Sequence, residues 1–160
     1  MIYRITRTPL ILVLALVSIM LTDSAQASGD FALLDQHGRF HQLSRYAGHD
    51  TVVMMVVADD DPTSVRALAG LQRVRQSLNE QNPATDIAYL LLYAGANPER
   101  ARVQAMAEAM GTDLPVLLDA AQIVLATLQA EQLGDVYLLD PSSQDVLFRT
   151  ALGAAGDEGG

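Results

Sequence analysis

Three consecutive carboxylates, Asp59-Asp60-Asp61, stand between an unbroken apolar run and Pro62-Thr63. Residues of this type at this spacing admit three chemistries. Oxygen donors can hold Ca²⁺ or Mg²⁺, although the spacing is not that of an EF-hand loop. A carboxylate at a helix start can cap the helix and meet the positive end of its dipole. An exposed acidic loop can also contact a partner protein. His37, His41 and His49 lie close together in sequence and raise the question of copper or zinc. No carboxylate stands at a helical ligand spacing from them. His37 is expected in a turn, and His41 and His49 on the surface. Met54-Met55 and the Met106/Met110 pair could ligate copper through sulfur. Adjacent strand residues point to opposite faces, however, and an i, i+4 pair shares one helix face, so all four are expected to pack.

Other catalytic groups are missing from the pattern. Ser44, Thr63 and Ser64 have no His–Asp arrangement nearby, so a hydrolase triad is not indicated. Gly95-Ala96-Asn97 is a turn and not a phosphate loop. Glu99, Glu108 and Glu131 are spaced as solvated faces. The 160 residues contain no Cys and no Lys. This excludes disulfides, thiolate nucleophiles, thiolate metal sites and lysine Schiff-base chemistry. The net charge of −9 disfavours nucleic acid and anionic membrane surfaces. No cofactor and no metal is expected.

The elements that must position these residues follow from hydrophobic periodicity. Residues 1–27 read as a secretory signal peptide, with Arg4 and Arg7 ahead of an apolar stretch over 10–21. That stretch is about 12 residues, against the ~20 that a membrane span needs. Ala25-Gln26-Ala27 is a small-residue cleavage site, and cleavage is expected before Ser28. The alternative is an uncleaved anchor. A periplasmic or secreted protein is expected, with one domain over 28–152 and a disordered acidic, Gly-rich tail over 153–160.

Within that domain, 31–34 and 40–43 form a hairpin across Asp35-Gln36-His37-Gly38. Residues 52–58 and 87–93 are apolar at nearly every position, as strands covered on both faces are. Between them Val65, Leu68, Leu71, Val74 and Leu78 recur at helical steps, with Asp61 or Thr63 as cap. A second helix is expected to start with Asn97 as cap and Pro98 in its first turn, and to stop at Gly111. Residues 114–118 are extended. Residues 120–130 are helical, with Ile123, Val124, Leu125 and Leu128 inward. Residues 136–139 and 146–149 form a closing hairpin. A β-α-β unit implies a parallel pair with a right-handed crossover. The class is α/β, with a mixed central sheet flanked by helices and an N-terminal β-hairpin.

In this order the phrases resemble the thioredoxin-like superfamily, in its redoxin branch of alkyl-hydroperoxide-reductase-like and thiol-specific-antioxidant-like proteins. The likeness is carried by Phe31-Ala32-Leu33-Leu34-Asp35-Gln36-His37-Gly38, by Leu43-Ser44-Arg45-Tyr46-Ala47-Gly48 and by residues 51–58. It continues in Leu114-Pro115-Val116-Leu117-Leu118-Asp119, in Val136-Tyr137-Leu138-Leu139-Asp140-Pro141 and in Val146-Leu147-Phe148-Arg149. The resemblance implies a redox Cys just after the core strand, and Asp61 stands about there. It implies a cis-Pro before a later strand, where Leu133-Gly134-Asp135 stands with Gly134 in that position. It also implies a closing helix, where this chain has its tail. A degenerate member results: fold kept, redox site dismantled. The expected role is a non-catalytic binding module for an envelope protein, through Asp59, Asp60, Asp61, Pro62, Thr63 and Gly134. The alternatives are a redoxin oxidoreductase or antioxidant with its thiol supplied in trans, and a weak divalent-metal binder.

Overall fold

The structure, a computed structural model, describes residues 26–152. The signal peptide expected over 1–27 lies outside the described residues except for Gln26 and Ala27, and the tail expected over 153–160 lies outside them entirely. Elements in chain order are β1 (Gln26–Ala27), β2 (Ala32–Leu34), β3 (Phe40–Gln42), a single 3-10 turn (Leu43–Tyr46), β4 (Thr51–Val57) and α1 (Pro62–Gln81). There follow β5 (Ile87–Tyr93), α2 (Arg100–Ala109), β6 (Val116–Leu118), α3 (Ile123–Thr127), β7 (Asp135–Leu139) and β8 (Asp145–Ala151). The main sheet runs β1-β8-β7-β4-β5-β6, and β2-β3 stands apart as a hairpin. β4 pairs parallel with β5, from Thr51 opposite Ile87 to Val57 opposite Tyr93, and antiparallel with β7. The expected mixed sheet, the parallel β-α-β unit and both hairpins are present.

Why β4 and β5 read as continuous apolar runs is now visible. Val53, Met55, Val57, Tyr89, Leu91 and Tyr93 face α1 and α2. Val52, Met54, Val56, Leu90 and Leu92 face the hairpin, the 3-10 turn and α3, where Phe31, Leu43, Val124 and Leu128 cover them. Alternation sends neighbours to opposite layers, and both layers are filled. Met54 and Met55 are fully buried on opposite faces, and Met106 packs beneath α2, so these methionines are core residues.

Local departures have local causes. Val65 and Val74 are exposed at 53% and 45%, whereas Ser64, Ala67, Leu68 and Leu71 make the inward stripe of α1. Ser64 takes the first inward position because its hydroxyl accepts the Ala58 N–H at 2.9 Å. α2 begins later than Asn97-Pro98 predicts. Asn97 sits at φ +52 in a turn, Glu99 is extended, and Val103 N–H to Glu99 O is the first helical bond. α3 is only five residues long. The Asp119 carboxylate accepts the Ile123 and Leu125 N–H groups, and Gln122 adopts φ +55. That orientation turns Val124 and Leu128 inward and leaves Ile123 65% exposed.

Buried polar groups close the edges. Fully buried Gln36 serves β6 as a strand would: its side-chain amide donates to Leu114 O at 3.2 Å and accepts Val116 N–H at 2.7 Å. No helix among the described residues is long and apolar enough to cross a membrane.

Candidate functional site

β4 delivers Asp59-Asp60-Asp61 to the carboxyl edge of the sheet, where open α/β sheets present ligand sites. The structure assigns the three carboxylates different tasks. Asp61 is extended at φ −114 and caps α1, accepting Ser64 N–H at 3.0 Å, with Pro62 starting the helix. Pro at this position loses no hydrogen bond, because that N–H has no helical partner. Asp59 turns inward and is 15% exposed. Its carboxylate accepts the Tyr93 phenol at 2.6 Å and pairs with Arg102 of α2. Asp60 is exposed, makes no hydrogen bond among the described residues and holds φ +55. That left-handed conformation is uncommon for a side-chain-bearing residue, though Asp tolerates it better than most.

The charges follow this division. The Tyr93 hydrogen bond, helped by Arg102, holds the Asp59 carboxyl below its ordinary value against the opposing pull of burial. Burial, followed by the hydrogen bond to Asp59, pushes the Tyr93 phenol up to about 12. The phenol therefore stays protonated and remains a donor. Asp59 and Arg102 neutralise one another, and Asp61 is offset by the helix start. Asp60 makes no hydrogen bond or close ion pair among the described residues, and its charge reaches Arg102 only through space. With Asp59 and Asp61 committed elsewhere, the run does not converge on one point as a three-oxygen cation site requires. Among the described residues no group of three His, Asp or Glu is arranged for a metal.

A groove of about 510 Å³ opens beside the loop. Asp59, Asp60, Asp61 and Pro62 line one side. Val65 of α1 and Ala105, Met106, Ala109 and Met110 on and just after α2 supply an apolar floor and wall. Of the six residues singled out by sequence, Asp59 to Pro62 therefore gather at one groove. Thr63 does not line it; its hydroxyl faces Arg66 at 3.4 Å. Gly134 does not line it either. Gly134 lies beside β4, donating to Val56 O and accepting Leu152 N–H, each at 2.9 Å.

The sequence reading placed Tyr93 in a strand and Gly95 in a turn but singled out neither of them, nor Arg102, as a site residue. The available signal was a polar-tipped Tyr ending β5, in register with the last residue of β4. Gly95 is needed because the Tyr93 ring lies over it. A Cβ there would meet ring carbons at 2.4 and 2.6 Å. Gly95→Ala should therefore displace the ring, release Asp59 and cost about 1–3 kcal/mol, as overpacking does. Thermal melting and ultraviolet titration of the phenols check this: one high-pH tyrosine transition should return toward pH 10. An unchanged titration would show that the ring needs no glycine.

The histidines are placed differently from expectation. His41 has only 12% of its side chain exposed. Its Nε2 meets the fully buried Asp35 carboxylate at 3.0 Å, and its Nδ1 meets the Tyr46 hydroxyl at 2.5 Å. Strand alternation concealed this, because His41 lies in a short polar-looking strand that folds over Asp35. His49 is half-buried, lies against the Tyr46 ring and reaches Asp86 at 3.0 Å. Of the three, only His37 is exposed, in its turn as expected.

No protein-family model matches the chain, and no curated protein matches it in sequence. Solved structures do match in shape. A hypothetical protein from Sinorhizobium meliloti 1021 gives a TM-score of 0.66 at 20% identity, over 84% of this chain and 75% of that one. Peroxidoxin BcpB from Mycobacterium tuberculosis gives 0.62 at 20% identity, over 79% and 84%. A secreted Mycobacterium tuberculosis disulfide oxidoreductase homologous to Escherichia coli DsbE gives 0.58 at 12% identity, over 76% and 83%. The chain has the thioredoxin-like fold.

Identity at this level carries the architecture alone, and within the thioredoxin-like fold this chain's chemistry is its own. Thiol exchange and thiol peroxidation need a thiolate, and the 160 residues hold no Cys. The described residues contain no cis peptide bond. Gly134 supports the backbone before β7 at φ +85, a conformation open to Gly and strained for other residues. The described part of this thioredoxin-like domain ends just after β8, at Leu152, with no closing helix among the described residues.

Proposed function

We propose that this chain is an exported thioredoxin-fold module that has exchanged redox chemistry for binding, and that it docks another envelope protein at the groove between the start of α1 and α2. One observation carries the reading. The loop after the core strand, where the redoxin resemblance puts the redox Cys, presents a capping carboxylate, a neutralised Asp–Arg pair and an apolar groove. None of these is a thiol, and together they form a surface. Secretion of the Mycobacterium tuberculosis oxidoreductase of the same fold is consistent with export, as is the signal-like start of the sequence.

The test has two arms. Purified protein is assayed for peroxide consumption and insulin reduction with a small thiol supplied. The expected rate is that of the small thiol alone, and turnover above it would return the chain to the oxidoreductases. In parallel, tagged protein is crosslinked in the native envelope fraction. A stoichiometric partner that disappears with Ala109→Arg, a substitution on the exposed wall of the groove, is expected. A partner retained by that variant overturns the groove as the docking face.

A further inference from the structure

The groove has a chemistry of its own, and it selects among partners. This inference rests on the groove being a binding face and goes on to say what it binds. Its floor and wall are apolar: Val65 is 53% exposed, Ala105 and Ala109 are exposed, Met110 is half-buried and Met106 closes the bottom. Single exposed apolar residues are ordinary, but here they are contiguous and line one concavity. Small alanines on the α2 wall let a ligand backbone approach closely. The methionine side chains are unbranched and adapt to irregular shapes. The volume falls within the roughly 300–1,000 Å³ of ligand pockets.

Charge decides the rest. Among the described residues Arg102 on the rim is the one cation lining the groove, and it is already paired with Asp59. Asp61 is tied to the helix start. Asp60 remains exposed and without a hydrogen bond, beside the apolar floor, on a chain of net charge −9. With the single Arg102 facing both Asp59 and Asp60, the rim stays net negative and repels an anionic ligand. A cationic flank would meet its complement.

We propose that the groove between α1 and α2 receives an apolar side chain of a partner segment flanked by Lys or Arg, with Asp60 as the anchor for the cation. Bulk burial in the groove supplies the affinity. Asp60 supplies the sign preference and the salt dependence, because an exposed ion pair is weak and screened.

Fluorescence anisotropy with three labelled ten-residue peptides tests this on the whole protein. One carries Leu and Met flanked by Lys, one carries the same centre flanked by Glu, and one keeps the Lys flanks around Ser. The Lys-flanked apolar peptide should bind best and weaken as salt is raised. Asp60→Asn keeps a residue that tolerates the left-handed backbone and removes the charge. It should leave the melting curve in place and weaken that peptide by about threefold to fivefold, the upper range for an exposed pair. It should leave the Glu-flanked peptide no weaker than before. Ala109→Arg should abolish binding of the apolar peptides. Equal binding of the Lys- and Glu-flanked peptides, or no effect of Asp60→Asn, overturns the sign preference while the groove still stands if Ala109→Arg blocks binding. Equal binding of the Ser-centred peptide overturns the apolar anchor. No peptide binding, with a crosslinked partner still lost in Ala109→Arg, overturns this inference alone. No peptide binding, with the partner retained, overturns the docking face as well.

Discussion

Asp35→Ala is expected to destabilise the protein by about 3 kcal/mol, the lower end of the penalty for breaking a buried charged network. For a domain of this size that lowers the melting temperature by roughly 10 °C. Asp35 directly follows the first hairpin strand with its side chain fully buried. One carboxylate oxygen accepts the His37 and Arg39 N–H groups at 2.8 and 2.9 Å. The other meets Arg39 Nε at 2.9 Å and His41 Nε2 at 3.0 Å. Arg39 can return to water, because 62% of its side chain is exposed. The two turn N–H groups and the imidazole are less able to do so, and unmet buried donors carry the cost. The hairpin they hold covers one layer of the core through Phe31 and Leu43.

The pH dependence of this effect has a definite sign. Burial pushes the Asp35 carboxyl up, but the hydrogen bonds from Arg39, His41 and His37 outweigh it and hold it below 3.8. A depressed carboxyl stabilises the fold above its unfolded value and loses that contribution as pH falls through the folded one. The stability that the Asp35 charge contributes over Asp35→Asn should therefore be larger at about pH 5 than at about pH 3. Denaturant melts at several pH values measure it. A contribution that grows on acidification would contradict the carboxylate's role as a charged acceptor.

The same hairpin shows what a sequence does and does not disclose. Its Asp, turn and Gly were legible, because turn residues act over four positions. Likewise β4 and β5 are legible, since strands covered on both faces must be apolar throughout. Asp61-Pro62 announced a helix start for the same local reason. The misreadings arise where geometry outruns neighbouring residues. Asn97-Pro98 has the composition of a helix start, yet the chain stays extended as far as Glu99. Ile123 belongs to an apolar run, but the Asp119 cap sets the rotation of a five-residue helix and turns it outward. In the candidate site the loop itself was legible and its partners were not. Tyr93 and Arg102 reach Asp59 from other elements, Tyr93 across 34 residues. Pro62 already marks Asp61 as a capping carboxylate in the sequence, but only tertiary structure distinguishes Asp59, paired with Arg102, from the exposed Asp60.

Asp61→Cys is expected to produce a thiol with its pKa lowered to about 7, as at other helix starts, from the ordinary ~8.5. Asp61 accepts Ser64 N–H and stands at the positive end of a 20-residue helix. A thiolate there inherits both interactions. The opposing influence is Asp60, whose carboxylate disfavours a second negative charge nearby. The helix start should prevail, because its N–H bonds directly to the sulfur, whereas Asp60 is exposed and acts through water. Since the chain has no Cys of its own, thiolate absorbance and alkylation rate against pH report this position alone. Stability gives an independent check. Replacing the cap should cost about 1 kcal/mol while the thiol is neutral. A thiol with a lowered folded pKa stabilises above its unfolded value and loses that contribution as pH falls through the folded one. The variant should therefore recover part of its loss between roughly pH 7 and 9. A pKa at or above about 8.5 would mean that Asp60 governs this loop. A depressed value would mean that the start of α1 stabilises a negative charge at position 61, a charge that Asp61 supplies without a thiolate's reactivity.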